Sequence, residues 1–308
     1  MKELGFINDI KEKAGIAHGG LIRGIGDDCA VIEKDKNSFF VWASDMITEG
    51  THFKISDGYE RIGRKAVAVN ISDVAAMGAV PKYITVSIGI PGKMKMRDAR
   101  KIYDGIFSIS REYGVQLAGG DTVRSSSLTI DVSIIGVVDK KKLLTRSGAR
   151  AGDLILVTGP VRDGKKEHLD FSPRIKESKF LAGKFKPTAM IDVSDGIAPD
   201  IGRICAESNT GCLLFEENIP LSEGLSMEDA MHYGESFELL FTMKENDAEK
   251  LPDAAKNNSL AGFFVIGVVT RAAEGMRIMK PSGKIAGIEM RGYEHFGKIG
   301  RGRKRNGK

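Results

Sequence analysis

The sequence is poor in cysteine. Its three, Cys29, Cys205 and Cys212, are an odd number with no C-x-x-C spacing, which excludes a disulfide-framed secreted scaffold and points to reduced thiols in a reducing compartment. It has no run of about 18 apolar residues, the length a membrane-spanning helix requires. Residues 1–15 place Leu4, Phe6, Ile7 and Ile10 at roughly helical spacing among charges, without the apolar stretch of a secretory signal. The expected location is the cytoplasm, with no membrane partner. Acids are missing from residues 298–308, which hold six of the 46 basic side chains, so the remainder carries 40 bases against 41 acids and the formal charge of +5 belongs to this tail. A solvated basic tail is expected there, and no nucleic-acid surface on the body. The five histidines show no H-E-x-x-H or other metal spacing, which leaves zinc chemistry unsupported.

What is present is a chain of 308 residues, 42 % apolar and rich in glycine, long enough for two domains with a crevice between them. Short apolar runs bounded by turn residues alternate with stretches of 3.6-residue periodicity, the pattern of an α/β protein. Strands are predicted at 29–33, 39–44, 83–90, 115–118, 128–138, 154–158, 189–193, near 213, at 238–243 and at 263–269. Helices are predicted at 59–77, at 94–113 with Ile102, Ile106, Ile109 and Tyr113 on one face, and at 197–208. The predicted organisation is a first domain over residues 1–148, a second over 149–297, beginning where Arg150-Ala151-Gly152-Asp153 turns the chain into a strand, and the tail 298–308.

Aspartates at the ends of apolar runs, or inside runs of small residues, carry the chemistry. They occur in Gly26-Asp27-Asp28, Ser44-Asp45, Ser72-Asp73, Gly119-Gly120-Asp121 and Asp192-Val193-Ser194-Asp195-Gly196. Singly, each is an ordinary turn or helix cap. Together, carboxylates converging from several strand ends would repel one another unless divalent cations lay between them. Magnesium takes hard oxygen ligands from a few carboxylates plus substrate phosphates, as phosphoryl transfer requires. Adjacent glycines, as in Gly24-Ile25-Gly26 and Gly119-Gly120, let backbone N–H groups approach phosphate. Gly-Ile-Gly-Asp-Asp-Cys lacks the third glycine of a dinucleotide fingerprint, and the stretch 159–166 lacks the P-loop hydroxyl after its lysine.

These segments resemble the thiamine-monophosphate kinase family, within the superfamily of aminoimidazole ribonucleotide synthetase and selenophosphate synthetase. The matching pieces are GIGDDCAV (24–31), SDMITEGTHF (44–53), GRKAVAVNISDVAAMGA (63–79), GGDTVRS (119–125), LTRSGARAGD (144–153), IDVSDGI (191–197), GESFELLF (234–241) and GYEHF (292–296), in the family's order over nearly the whole chain. The resemblance implies two α/β domains, the first pairing with its copy as a dimeric β-barrel, and in-line transfer from ATP to thiamine monophosphate without a phosphoenzyme. The implied metal shell is Asp27, Ser44, Asp45, Asp73, Asp121, Asp192 and Asp195, and Asp28 also sits in the acidic motif. It implies Asp27, Tyr103, Gly120, Asp121, Arg146 and Ser194 at ATP, Asp121 and Asp195 in catalysis, and His52, Glu235, Ser236 and Tyr293 at the substrate. Several magnesium ions are the implied cofactor, with ATP as co-substrate and potassium a further candidate.

Two features depart from the family. Where it usually reads G-E-D-Y-E-L, this chain has Gly234-Glu235-Ser236-Phe237-Glu238-Leu239, and its loop 160–172 is shorter and more basic. The alternatives retained are another ATP-using enzyme of the superfamily, such as an aminoimidazole ribonucleotide synthetase, and a non-catalytic nucleotide or thiamine-phosphate binding protein. Selenophosphate synthesis is disfavoured because Cys29 lies within a predicted strand.

Overall fold

The structure, a computed structural model, describes residues 3–14, 19–164, 167–260 and 262–290. Helix α1 (Glu3–Ala14) precedes strands β1 (Leu21–Arg23), β2 (Ala30–Glu33) and β3 (Ser38–Thr48). Helix α2 (Tyr59–Ala76), β4 (Val80–Pro91), α3 (Met96–Tyr113), β5 (Gln116–Ser125) and β6 (Thr129–Asp139) complete the first domain. Its six strands lie in the order β1-β2-β3-β6-β4-β5. Along β6 the alternation is strict: Ile130, Val132 and Ile134 are buried while their neighbours are not, so one face of the sheet packs on α2 and α3. The other face presents Trp42, Met46, Tyr83 and Val123 to solvent. The sheet is open, with β1 and β5 at its edges, so the expected barrel is not closed within one chain.

The helices on the inner face approach closely because glycines meet at their crossing. A Cβ on Gly63 of α2 would sit 1.9 Å from the Ile102 carbonyl oxygen, and one on Gly105 of α3 would sit 1.9 Å from that of Glu60. The amphipathic face predicted for α3 is realised, with Ile102, Ile106 and Ile109 fully buried. Strand β5 differs from expectation: the strand predicted over 115–118 runs on through Gly119-Gly120-Asp121 to Ser125. Its parallel pairing with β4 carries it through, and a Cβ on Gly120 would lie 1.8 Å from the Val86 carbonyl oxygen.

The second domain contains β7 (Leu154–Thr158), α4 (Ile175–Phe180), β8 (Ala189–Asp192), α5 (Ile197–Ser208), β9 (Thr210–Phe215) and α6 (Met227–His232). Strands β10 (Leu239–Met243), β11 (Phe263–Arg271), β12 (Met276–Met279) and β13 (Ile285–Gly287) complete a sheet ordered β13-β12-β9-β11-β7-β10-β8. One apolar cluster runs from the first sheet through α2 to Leu156, Met190, Leu239 and Phe241. Another, with Ile155, Val157 and Ile191, lies against Ile201 and Ile204 of α5. Neighbouring strand residues point to opposite faces, so the second sheet is covered on both sides and the two domains share a core. Among the described residues no helix is long and apolar enough to cross a membrane.

Candidate functional site

Between the domains lies a cleft of about 960 Å³, lined from both. The first domain supplies the Gly26–Asp28 turn, the end of β3 and Asp73 of α2. The second supplies Asp192 at the end of β8, Ser194 and Asp195 beyond it, and Glu235. Carboxylate oxygens of Asp28, Asp73 and Asp192 all lie within 4.8 Å of one another. At an effective dielectric of about 20, two full charges that close repel by roughly 3 kcal/mol. Burial, reinforced by the neighbouring carboxylates, pushes Asp73 and Asp192 well above the usual carboxylate range. Burial also raises Asp28, opposed by Arg146, whose guanidinium donates to Asp28 Oδ1 from Nη2 at 2.5 Å and from Nε at 3.2 Å. Among the described residues, the buried Asp28 Oδ2 has no hydrogen-bond partner. An all-oxygen donor set with an orphaned carboxylate oxygen fits a hard divalent cation such as magnesium.

The residues expected at the site divide into several groups. Asp73 and Asp192 meet, joined by Asp28. Asp27 lines the cleft, but its carboxylate accepts from Arg23 Nη1 and from the Arg146 amide, each at 3.1 Å, and burial pushes it up to about 6. The Asp45 amide donates to Asn70 Oδ1 on α2 at 3.1 Å. The Asp45 carboxyl is open to the cleft, yet the protein around it and the carboxylates of Asp131, Asp195 and Asp28 raise it, with a hydrogen bond to Asp73 opposing. Ser44, at the rim, donates its hydroxyl to Asp131 at 3.1 Å. Asp195 is ion-paired with Arg203, and Ser194 and Arg146 line the cleft.

Asp121, Gly120 and Tyr103 do not line it. Cross-strand partners run Met46, Asp131, Ser87, Asp121, so Asp121 shares the exposed outer face with Met46, opposite the face that carries Asp45. Tyr103 packs against the core from α3. The single chain therefore gathers four of the five aspartate stretches and leaves the Gly119–Asp121 stretch outside.

On the substrate side, His52 and Glu235 both line the cleft. The Thr48 amide donates to His52 Nδ1 at 3.1 Å, which fixes the ring. Ser236 faces away: it is fully buried, and its hydroxyl oxygen accepts the Arg162 amide at 3.0 Å. Phe237 stacks on Phe171, ring centroids 4.0 Å apart. The Ser236 departure therefore falls behind the cleft wall. The loop is tightly made: Glu235 and Phe237 adopt positive φ, and a Cβ on Gly234 would lie 1.7 Å from the Ser194 carbonyl oxygen. Tyr293 and the basic tail lie outside the described residues.

Asp200 and Arg203 were not singled out in the sequence. Asp200 is fully buried in the first turn of α5, where Oδ2 accepts the amides of Asp195 and Gly196, both at 3.1 Å, and Arg203 ion-pairs with Oδ1. Burial pushes it up to about 7. The signal was an acid on a helix face of Ile197, Ile201 and Ile204. Lys65, in the apolar stretch of α2, was missed likewise.

Residues 26–138 match the family described as AIR synthase related protein, N-terminal domain, and residues 162–279 match its C-terminal domain. The thiamine-monophosphate kinase of Buchnera aphidicola subsp. Acyrthosiphon pisum is 35 % identical, covering 89 % of this chain and 93 % of that one. That of Bacillus subtilis is 30 % identical over 96 % and 100 %. The solved structure of AaThiL complexed with AMPPCP and TMP superposes with a TM-score of 0.82 at 27 % identity, covering 96 % of this chain and 97 % of that one. With that likeness end to end, and its carboxylate cluster set between two AIR synthase related domains, the chain belongs to the thiamine-monophosphate kinase family.

Proposed function

We propose that the protein transfers the terminal phosphoryl group of ATP directly to the phosphate of thiamine monophosphate, giving thiamine diphosphate and ADP, with magnesium held by Asp28, Asp73 and Asp192. The observation that carries this reading is the convergence of those carboxylates, one oxygen orphaned, in a cleft large enough for a nucleotide beside a second ligand. Held there, magnesium would supply neutralisation of phosphate charge and alignment of the reacting oxygens. The chain's own residues position the parts. The Arg146 guanidinium, braced on Asp28, sits where it can turn a donor to phosphate oxygens. Asp45 and Asp195 extend the acidic wall, and His52 and Glu235, which also line the cleft, are assigned to the thiamine portion. The relative solved with AMPPCP and TMP supports this pairing of ligands.

We place the domain boundary at 148/149 and the protein in the cytoplasm as a homodimer. The exposed sheet face with Trp42, Met46 and Tyr83 supports pairing, and it carries Asp121, whose proposed role at ATP requires a second subunit across that face. The test is chromatographic detection of thiamine diphosphate after incubation with magnesium, ATP and a panel of superfamily acceptors. Product from thiamine monophosphate alone is expected. Folded protein that binds ATP but forms none would overturn the proposal, and product from an aminoimidazole precursor would favour the synthetase.

A further inference from the structure

Lys65 is fully buried in the middle of α2, between Arg64 and the apolar run Ala66–Val69, with no metal ligand among its contacts. A buried ammonium costs stability unless its hydrogen-bonding capacity is met. Its Nζ has partners on three separate segments: the His52 carbonyl oxygen at 2.8 Å, His168 Nδ1 at 2.7 Å, and Glu235 Oε1. Two of these belong to the residues proposed to face the thiamine end of the cleft, one from each domain, and the third comes from the short basic loop.

The arrangement fixes which atoms remain for a ligand. An ammonium has only donors, so His168 Nδ1 must act as acceptor towards Lys65, and the neutral imidazole then carries its proton on Nε2. Burial first, and then the charge of Lys65, hold His168 down at about 4, which keeps that imidazole neutral. Nδ1 lies 3.4 Å from Glu235 Oε2 but has no proton to give it. One Glu235 oxygen is thus held by Lys65 while the other stays an acceptor on the cleft wall.

We propose that Lys65 is a positioning residue for thiamine monophosphate: it ties the His52 and Glu235 segments to one point and presents Glu235 Oε2, an acceptor, to the amino group on the pyrimidine ring of the substrate. This rests on the function proposed above. Positive φ at Glu235 and Phe237 is consistent with a loop held in place by surrounding contacts, of which the Lys65 pair is one.

The test is steady-state kinetics with each substrate varied, on wild type, Lys65→Met, Glu235→Gln and the double variant, with thermal melting to verify folding. Lys65→Met is expected to raise KM for thiamine monophosphate about tenfold or more while KM for ATP stays within about twofold. Lys65→Met leaves a carboxylate without its cation, so the double variant serves as the second criterion: part of the Lys65 effect runs through the Glu235 carboxylate, so the combined rise in KM should fall well short of the product of the two single effects. Three outcomes overturn the inference: a folded Lys65→Met with unchanged KM for thiamine monophosphate, equal rises in both KM values, or a double variant whose rise in KM equals the product of the two single effects. Wild type without turnover would overturn the proposed function and this inference with it, whereas active wild type with an indifferent Lys65→Met overturns this inference alone.

Discussion

Asp73 is the residue on which stability and function oppose each other most directly. Its carboxyl is pushed well up by burial and by Asp45, Asp192 and Asp28, so with no cation bound it is a burden on the fold. Asp73→Asn is expected to raise the melting temperature of the metal-free protein, a gain of about 1 kcal/mol, because removing a buried charge from a like-charged cluster is stabilising. The same change should lower turnover by about a hundredfold or more, since a cation ligand is lost. Melting curves and initial rates on one preparation check both signs. The pH dependence follows. A carboxyl with its folded pKa raised binds more protons folded than unfolded, so stability is lost as pH rises through the folded value. The share of Asp200, whose folded value is about 7, is lost between about pH 4 and 7, and Asp73 and Asp192, raised well above their ordinary values, extend the loss in the same direction. The metal-free protein should melt higher at pH 6.5 than at pH 8, and magnesium with nucleotide should narrow the difference. The aspartates could be read from the sequence because each of their stretches stands at the end of an apolar run or inside a run of small residues. Lys65 and Asp200 could not, because one charged residue among apolar neighbours gives no sign of whether it points out to solvent or in to a partner.

Elements with unambiguous periodicity were legible. Helices α2 and α3 and strands β6, β7 and β11 lie close to where alternation or 3.6-residue spacing puts them. Short pieces such as β1, α4, α6 and β13 escaped, since three to six residues carry no period. The missed continuation of β5 has a different cause: glycine reads locally as punctuation, whereas Gly120 is required by the backbone of the neighbouring strand. The same holds at the crossing of α2 and α3. Gly105→Ala would push the helices apart and should destabilise the fold by about 1–3 kcal/mol, the usual cost of overpacking. Because Gly105 touches the Glu60 carbonyl and no cleft residue, KM values should stay near wild type in the folded fraction. Urea unfolding with parallel kinetics measures both.

For the molecule as a whole, length and composition pointed to two domains, and the two sheets with their matched family regions agree with that. The sequence did not reveal which sheet face would be left open, because that depends on the register between strands distant in the chain: Trp42 and Tyr83 come to the same side only once both pair with Ile135 of β6. With Met46 and Val123 they leave four large apolar side chains exposed on one sheet face. The protein should elute as a dimer in size-exclusion chromatography with light scattering. Trp42→Lys with Tyr83→Glu should give monomers that melt normally but turn over poorly, as expected if Asp121 serves across the interface.

If acidic groups from distant parts of the chain share a divalent cation, calorimetric titration of magnesium into the protein with a non-hydrolysable ATP analogue shows that sharing most directly. Wild type should bind with release of protons at pH 7.5, seen as a heat that changes with the buffer's ionisation enthalpy. Asp73→Asn should bind about tenfold or more weakly and release fewer. Equal affinity and equal proton release in the two proteins would contradict it.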